Sequence, residues 1–340
     1  MLIILEGPDL AGKTTLAERL ITYLSAKFPR DRVQLIHRGP PSRHPLDEYA
    51  VPLLDYQPGQ GLHLVIDRWH WGELVYPPIM NRPTKMTRWL FNYIEMLVIQ
   101  RGGFTVHITA DDRELLRRFD ARGDDMQRRE DLPLIANTFR RIALETGYSG
   151  WTYEAHSPDY IVDRARDREL RALTHSQFVT PVSMATYPRV LLVGDRRNCQ
   201  GAHCDHRTRH LTTGTAFMPY PATSGDFLLR ALDATFFDFG QLALANAADV
   251  DAPRKIWREY NYPRVVALGR KAHLALESVD VPHAVAPHPQ FVRRFHHAAI
   301  AEYGRLIQEL VGTERNELAW RPHSQPKTDA ASTLVSSNMS

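Results

Sequence analysis

The chain has 340 residues, more than one ordinary domain requires. Hydrophobic content of 43% and charged content of 24% exclude a disordered or fibrous chain, and no run approaches the roughly 18 apolar residues of a membrane span. Net charge is +3, from 42 basic and 39 acidic residues, and the two cysteines, Cys199 and Cys204, exclude a disulfide framework, so a cytoplasmic setting is expected.

In chain order, residues 1–6 are apolar and β-branched and predict a buried strand. Gly7-Pro8-Asp9-Leu10-Ala11-Gly12-Lys13-Thr14-Thr15 follows and matches G-x-x-x-x-G-K-[ST]. Residues 16–27 then carry helical periodicity. Strand, glycine-rich loop and helix in this order predict a phosphate-binding P-loop. Glycines let backbone N–H groups turn toward an anion, and the helix N-terminus adds partial positive charge. Lys13 is expected on the β/γ-phosphates of ATP and the Thr14 hydroxyl on Mg²⁺.

Further strands are predicted at 33–37, 62–66, 104–109 and 160–163, and helices at 89–100, 113–122 and 132–146. The alternation predicts a parallel sheet covered on both faces. Residues 174–189, rich in Ser, Thr and Pro, read as a linker between a first domain (1–173) and a second (190–315). In the second, strands are expected at 190–193, 241–245 and 265–268, and helices at 227–232, 271–276 and 293–310. Residues 321–340 read as a disordered tail.

Asp67-Arg68 ends a predicted strand, the edge where open α/β sheets bind ligands. The carboxylate suits a Mg²⁺ shell or the proton of an acceptor hydroxyl, and Arg68 suits a phosphate clamp. Arg117, Arg118 and Arg122 precede the flexible Gly123-Asp124-Asp125 and are candidates for a lid that closes over ATP, against the alternative of a solvated mixed-charge helix.

The run Leu5-Glu6-Gly7-Pro8-Asp9, continued by Ala11-Gly12-Lys13-Thr14-Thr15, together with Asp67-Arg68-Trp69, resembles the thymidylate-kinase-like P-loop nucleotide kinases. The resemblance spans residues 1–165. It implies a three-layer P-loop NTPase fold and an ATP- and Mg²⁺-dependent phosphotransferase acting on a pyrimidine deoxynucleotide. It also implies that Gly7, Asp9, Gly12, Lys13, Thr14 and Thr15 hold the triphosphate, with Thr14 and Asp67 on the metal. Lys13, Asp67, Arg68, Arg118 and Arg122 would carry catalysis. Arg38, in His37-Arg38-Gly39-Pro40, falls where the family has an acceptor-binding arginine. The stretch Trp69-His70-Trp71-Gly72-Glu73-Leu74-Val75-Tyr76 departs from the thymine-pocket pattern and looks more like phage-type relatives, among them kinases proposed to phosphorylate 5-hydroxymethyluracil in DNA; the setting would then be the host cytoplasm. Trp69, Trp71 and Tyr76 are candidates to stack on a base, with core packing as the alternative.

Residues 190–310 resemble, more faintly, the uracil-DNA-glycosylase-like α/β/α fold: Val190 to Gly194, Gly214-Thr215-Ala216-Phe217, Leu244-Ala245-Asn246, Val265 to Arg270 and His288-Pro289-Gln290 follow its motif order. Asn246 and His288 would bind the nucleotide or DNA. Asp195-Arg196-Arg197-Asn198 replaces the family's Pro-Gly, which leaves base excision open. Cys199, His203, Cys204, His206 and His210 offer zinc-type ligands at a spacing that matches no standard finger. A non-catalytic DNA-binding or base-excision module whose P-loop only senses nucleotide is the alternative.

Overall fold

In the computed structural model, residues 1–123, 127–146, 150–151, 157–176, 182–183, 189–194, 217, 223–247, 254, 257–258, 263–296 and 299–312 are described. The first sheet is built from β1 (Leu2–Glu6), β2 (Arg32–His37), β3 (Leu62–Asp67), β4 (Gly103–Ile108) and β5 (Gly150–Trp151), in the order β2-β3-β1-β4-β5 and all parallel. β1 and β4 are buried throughout, which is why their sequences are apolar runs rather than alternations. β1 lies centrally between β3 and β4; its own crossover runs past β3 to β2, the crossover from β3 runs back across β1 to β4, and this reversal opens a crevice at the carboxyl end of β1.

Helix α1 (Lys13–Lys27) and α7 (Pro158–Ser176) cover one face of this sheet with Leu16, Leu20, Ile161 and Val162. The 160–163 stretch, expected as a strand, lies inside α7. Its apolar residues Ile161, Val162 and Ala165 are all buried and fall on one helical face, in a segment otherwise filled with Arg, Asp and Glu. Helix α4 (Arg88–Gln100), capped by the Thr87 hydroxyl, covers the other face. Helices α2 (Val51–Asp55), entered through a π-type turn at Leu46–Ala50, and α3 (Gly72–Ile79), which contains Pro77 and Pro78, complete that side. Helix α5 (Asp112–Arg122), capped by Asp111, and α6 (Leu132–Glu145) follow β4.

The second sheet has the order β10-β9-β7-β8-β6. In it β7 (Val190–Gly194), β8 (Leu242–Asn246), β9 (Arg264–Leu268) and β10 (Ala284–Ala286) run parallel, with β6 (Val182–Ser183) antiparallel at the edge. The stretch expected as a linker therefore gives α7 its last turn and the sheet an edge strand. Helices α8 (Ser224–Asp233), α9 (Arg270–Glu277), α10 (Pro289–Phe295) and α11 (Ile300–Gly312) flank the sheet. The single helix expected over 293–310 is thus two. The first closes with the amide of His296 on the Val292 carbonyl, and the second begins after Ala299.

The two sheets share an apolar core. Leu2, Ile4 and Leu64 of the first sheet and Leu192, Leu244 and Val266 of the second belong to one continuous cluster. Helix α4 lies in its middle and packs on β4 as well as on α8 and β6. Helix α11 approaches α8 closely at Gly304, where a Cβ would stand 2.1 Å from the Ala231 carbonyl oxygen. Gly304→Ala therefore forces the helices apart, and chemical denaturation is expected to show a loss of about 1–3 kcal/mol.

Candidate functional site

The 7–15 loop leaves β1 at the crevice. Gly7 adopts φ 147°, and a Cβ there would lie 2.0 Å from the Ile108 carbonyl oxygen, so no side chain fits between this loop and β4. Gly12, at φ 101°, turns the chain into α1. The ammonium of Lys13, 4% exposed, donates to the carbonyls of Gly7 and Pro8, both at 2.8 Å, and lies 3.4 Å from Asp9 Oδ1. Burial lowers its pKa, while the Asp9 carboxylate supports the charged form.

Asp9 is the hub on the cavity side of the loop. It pairs with Arg68 Nη2 at 2.6 Å and accepts hydrogen bonds from Tyr76 Oη at 3.2 Å and from Gln127. Burial opposes its ionisation, but the charges of Lys13 and Arg68 with these hydrogen bonds outweigh it and hold the carboxyl below its usual range. Burial likewise pushes the Tyr76 phenol well above its ordinary value.

Asp67 ends β3 and is 1% exposed. Its Oδ2 accepts the Thr14 hydroxyl at 2.9 Å and lies 3.0 Å from His37 Nδ1, while its Oδ1 is buried without a partner. A hydroxyl and a spare buried carboxylate oxygen at one point are the hard oxygen donors that Mg²⁺ takes beside phosphate. Among the described residues no cluster of three or more His, Cys, Asp or Glu could hold a metal by itself. The proposed zinc ligands Cys199, His203, Cys204, His206 and His210 lie outside the described residues.

Arg118 reaches the loop: its Nη1 donates to the Leu10 carbonyl at 2.8 Å while Glu114 holds its Nε at 2.6 Å. Arg122 lies one turn further along α5, exposed, and Arg117 is an exposed partner of Glu114. Of the expected lid arginines, the structure brings Arg118 to the loop; Asp124 and Asp125 lie outside the described residues.

A cavity of about 310 Å³ opens beside the loop. Tyr49, Trp69, Tyr76 and Phe139 form its aromatic walls, and Glu6, Asp9, Arg38, Arg68 and the Glu73–Arg82 pair, 2.5 Å apart, its polar ones. Arg38 lies over the Trp69 ring at 5.6 Å, and Tyr49 meets that ring edge-on. Trp69 and Tyr76 therefore line the cavity. Trp71 does not: it is wholly buried, packs near His107 and donates its Nε1–H to Glu95 at 2.6 Å. Its large ring is core, which is the alternative the sequence left open.

Glu6 carries a role that the motif did not disclose. One carboxyl oxygen accepts the amides of Trp69, at 3.1 Å, and Trp71, at 2.9 Å. Burial pushes its pKa up to about 8. Its neighbour across the sheet, His107, is pushed down to about 4 by burial and by the charge of Arg140, so both stand neutral near pH 7.

In the second half, Asn246 ends β8 beside Gly194 of β7, is 5% exposed and leaves its Nδ2 without a partner. A Cβ on Gly194 would fall 2.5 Å from the Phe217 ring, so that ring lies directly against the strand end. His288 caps α10 by accepting the Gln290 amide at 3.2 Å and lines a separate open crevice with Arg270 and His273. Asn246 and His288 thus stand at the carboxyl edge of the same sheet.

Over 153 residues the chain is 26% identical to YorR, an SPbeta prophage-derived protein of Bacillus subtilis strain 168; the match covers 45% of this chain and 88% of YorR. A crystal structure of YorR from Bacillus subtilis, described as a complex with phosphorylated GDP, matches with a TM-score of 0.38 at 24% identity, covering 52% of this chain and 98% of that one. No protein-family model matches the chain. Among the described residues no helix is long and apolar enough to cross a membrane.

The Glu6 carboxyl gives a signed prediction. Its folded pKa lies above its unfolded value of 4.5, so the folded state holds a proton that the unfolded state releases, and stability falls between pH 4.5 and about 8. Glu6→Gln keeps a carbonyl for both amides and removes the proton. Urea unfolding at pH 5, 6.5 and 8 is expected to show the variant gaining on the wild type at each step.

Proposed function

We propose that the first half is an ATP- and Mg²⁺-dependent phosphotransferase whose acceptor is a pyrimidine deoxynucleotide, either a free monophosphate or a hydroxymethylpyrimidine in DNA. The observation that carries this reading is the sealed Lys13 ammonium within a glycine-hinged loop, one residue before a hydroxyl bonded to Asp67. Gly7, Asp9, Gly12, Lys13, Thr14 and Thr15 would hold the triphosphate. Thr14 and Asp67 would hold the metal, which supplies charge neutralisation at the β/γ-phosphates.

The aromatic-walled cavity takes the acceptor base between Trp69 and Tyr76, with Arg38 and Arg68 toward its phosphate. An acceptor oxygen then attacks the γ-phosphorus, the bond to the bridging oxygen breaks, and ADP leaves. Lys13, Arg68 and Arg118 stabilise charge on the transferring group, with Arg122 available if the lid closes. For a hydroxyl acceptor, Asp67 would take the departing proton as the alternative to its place on the metal. The second half would bind nucleotide or DNA: the unpartnered amide of Asn246 beside the Phe217 ring suits a base edge and a base face, as glycosylase-like proteins use them.

Two measurements test the reading. Lys13→Ala removes a charged donor worth about 1.5–3 kcal/mol, so calorimetry with ATP and Mg²⁺ is expected to show at least a roughly tenfold loss of affinity. With γ-labelled ATP, label is expected in dTMP, dUMP or hydroxymethyl-dUMP, or in hydroxymethyluracil-containing DNA. Absence of label from all of them, with Lys13→Ala altering only DNA affinity, would replace the kinase by a nucleotide-sensing DNA-binding module.

A further inference from the structure

The segment that bears Arg68 is bent against its own preference. Arg68 adopts φ 69°, a left-handed conformation that costs a non-glycine residue about 1–3 kcal/mol unless its surroundings impose it. Its neighbours are held from two sides. Glu6 takes the amides of Trp69 and Trp71 from below. Glu95, on α4 and 0% exposed, accepts the Trp71 indole N–H at 2.6 Å, and the same oxygen lies 2.9 Å from Nε2 of His70, also wholly buried.

A polar carboxyl group at the centre of an apolar helix face is costly, and replacing such groups by apolar ones often leaves stability unchanged or raises it. The second oxygen of Glu95 has no partner, so hydrogen bonding does not fully offset the burial. Stability alone is a poor account of its presence. What Glu95 does touch is the stretch on which both acceptor-side arginines depend. Arg68 belongs to that stretch, and Arg38 lies over the ring of Trp69 within it.

We infer that Glu95 is a positioning residue for the acceptor clamp, fixing residues 69–71 so that Arg68 and Arg38 face the cavity. The inference rests on the phosphotransferase reading above. It gives α4, which also packs on α8 and β6, a role in holding the site to the shared core. Glu95 itself is neither a partner of the loop's lysine nor one of the residues that line the cavity.

The test compares full-length wild type, Glu95→Gln, Glu95→Leu and Leu97→Ala, the last a wholly buried α4 residue that serves as a stability control. Glu95→Leu is expected to raise the acceptor KM about 10–100-fold, the range for loss of a supporting shell, with ATP affinity within about threefold of wild type. Glu95→Gln, which still offers the indole an oxygen, is expected to restore KM to within about threefold of wild type. Leu97→Ala should lower Tm without changing the acceptor KM. In NMR spectra the Trp71 indole proton should lose its protection from exchange in Glu95→Leu and keep it in Glu95→Gln. An unchanged KM in Glu95→Leu with ATP binding intact overturns the positioning role alone, as does an equal KM rise in Leu97→Ala. A wild type that binds no ATP sinks the phosphotransferase reading and this role with it.

Discussion

The Lys13 ammonium sealed inside its own loop is the constraint on which the site depends. A buried charge must be met by oxygens, and here the carbonyls of Gly7 and Pro8 and the Asp9 carboxylate meet it. Those carbonyls converge only because Gly7 approaches β4 more closely than any side chain would permit. Asp9, drawn in by Lys13, in turn collects Arg68, Tyr76 and Gln127. One charge therefore orders the loop on one side and the cavity residues Arg68, Tyr76 and Gln127 on the other.

A second layer of buried carboxyl groups supports this arrangement from within the fold. Glu6 and Glu95 are both buried, and both spend their oxygens on the residues that follow Arg68. They come from opposite sides: Glu6 from the central strand, Glu95 from the helix between the two sheets. The strained backbone at Arg68 is thereby tied to the rigid parts of the molecule, as is usual where a side chain must be aimed rather than merely present. The apolar cluster running through α4 ties the second sheet to the same frame.

The second half repeats the logic of open parallel sheets with different chemistry. Its strand ends present a glycine, an amide and a histidine where the first half presents a lysine, a hydroxyl and a carboxylate. The first set suits a neutral ring with hydrogen-bonding edges; the second suits polyphosphate and metal.

How much was legible depended on the distance over which each feature is encoded. The 7–15 loop and its flanking strand and helix could be read directly, because Lys13 meets Gly7, Pro8 and Asp9 within a few residues; Asp67-Arg68 could be read because it ends an apolar strand, although its partners Thr14 and Asp9 are remote. The buried strands could be read because parallel sheets covered on both faces demand continuous apolar runs. Residues 160–163 could not: a short β-branched run is the same string in a strand and in a helix, and only packing against α1 and the sheet made it helical. The division of labour among the three candidate aromatic residues also required tertiary structure. Trp69, Trp71 and Tyr76 are chemically alike in the string, and which of them lines a cavity depends on Glu6 and Glu95, 63 to 65 and 24 positions away from their partners. By itself the sequence determined the glycine-rich 7–15 loop and the α/β architecture; the aromatic-walled cavity beside that loop and the buried carboxyl groups that hold residues 69–71 arise from contacts between remote segments, which no local pattern encodes.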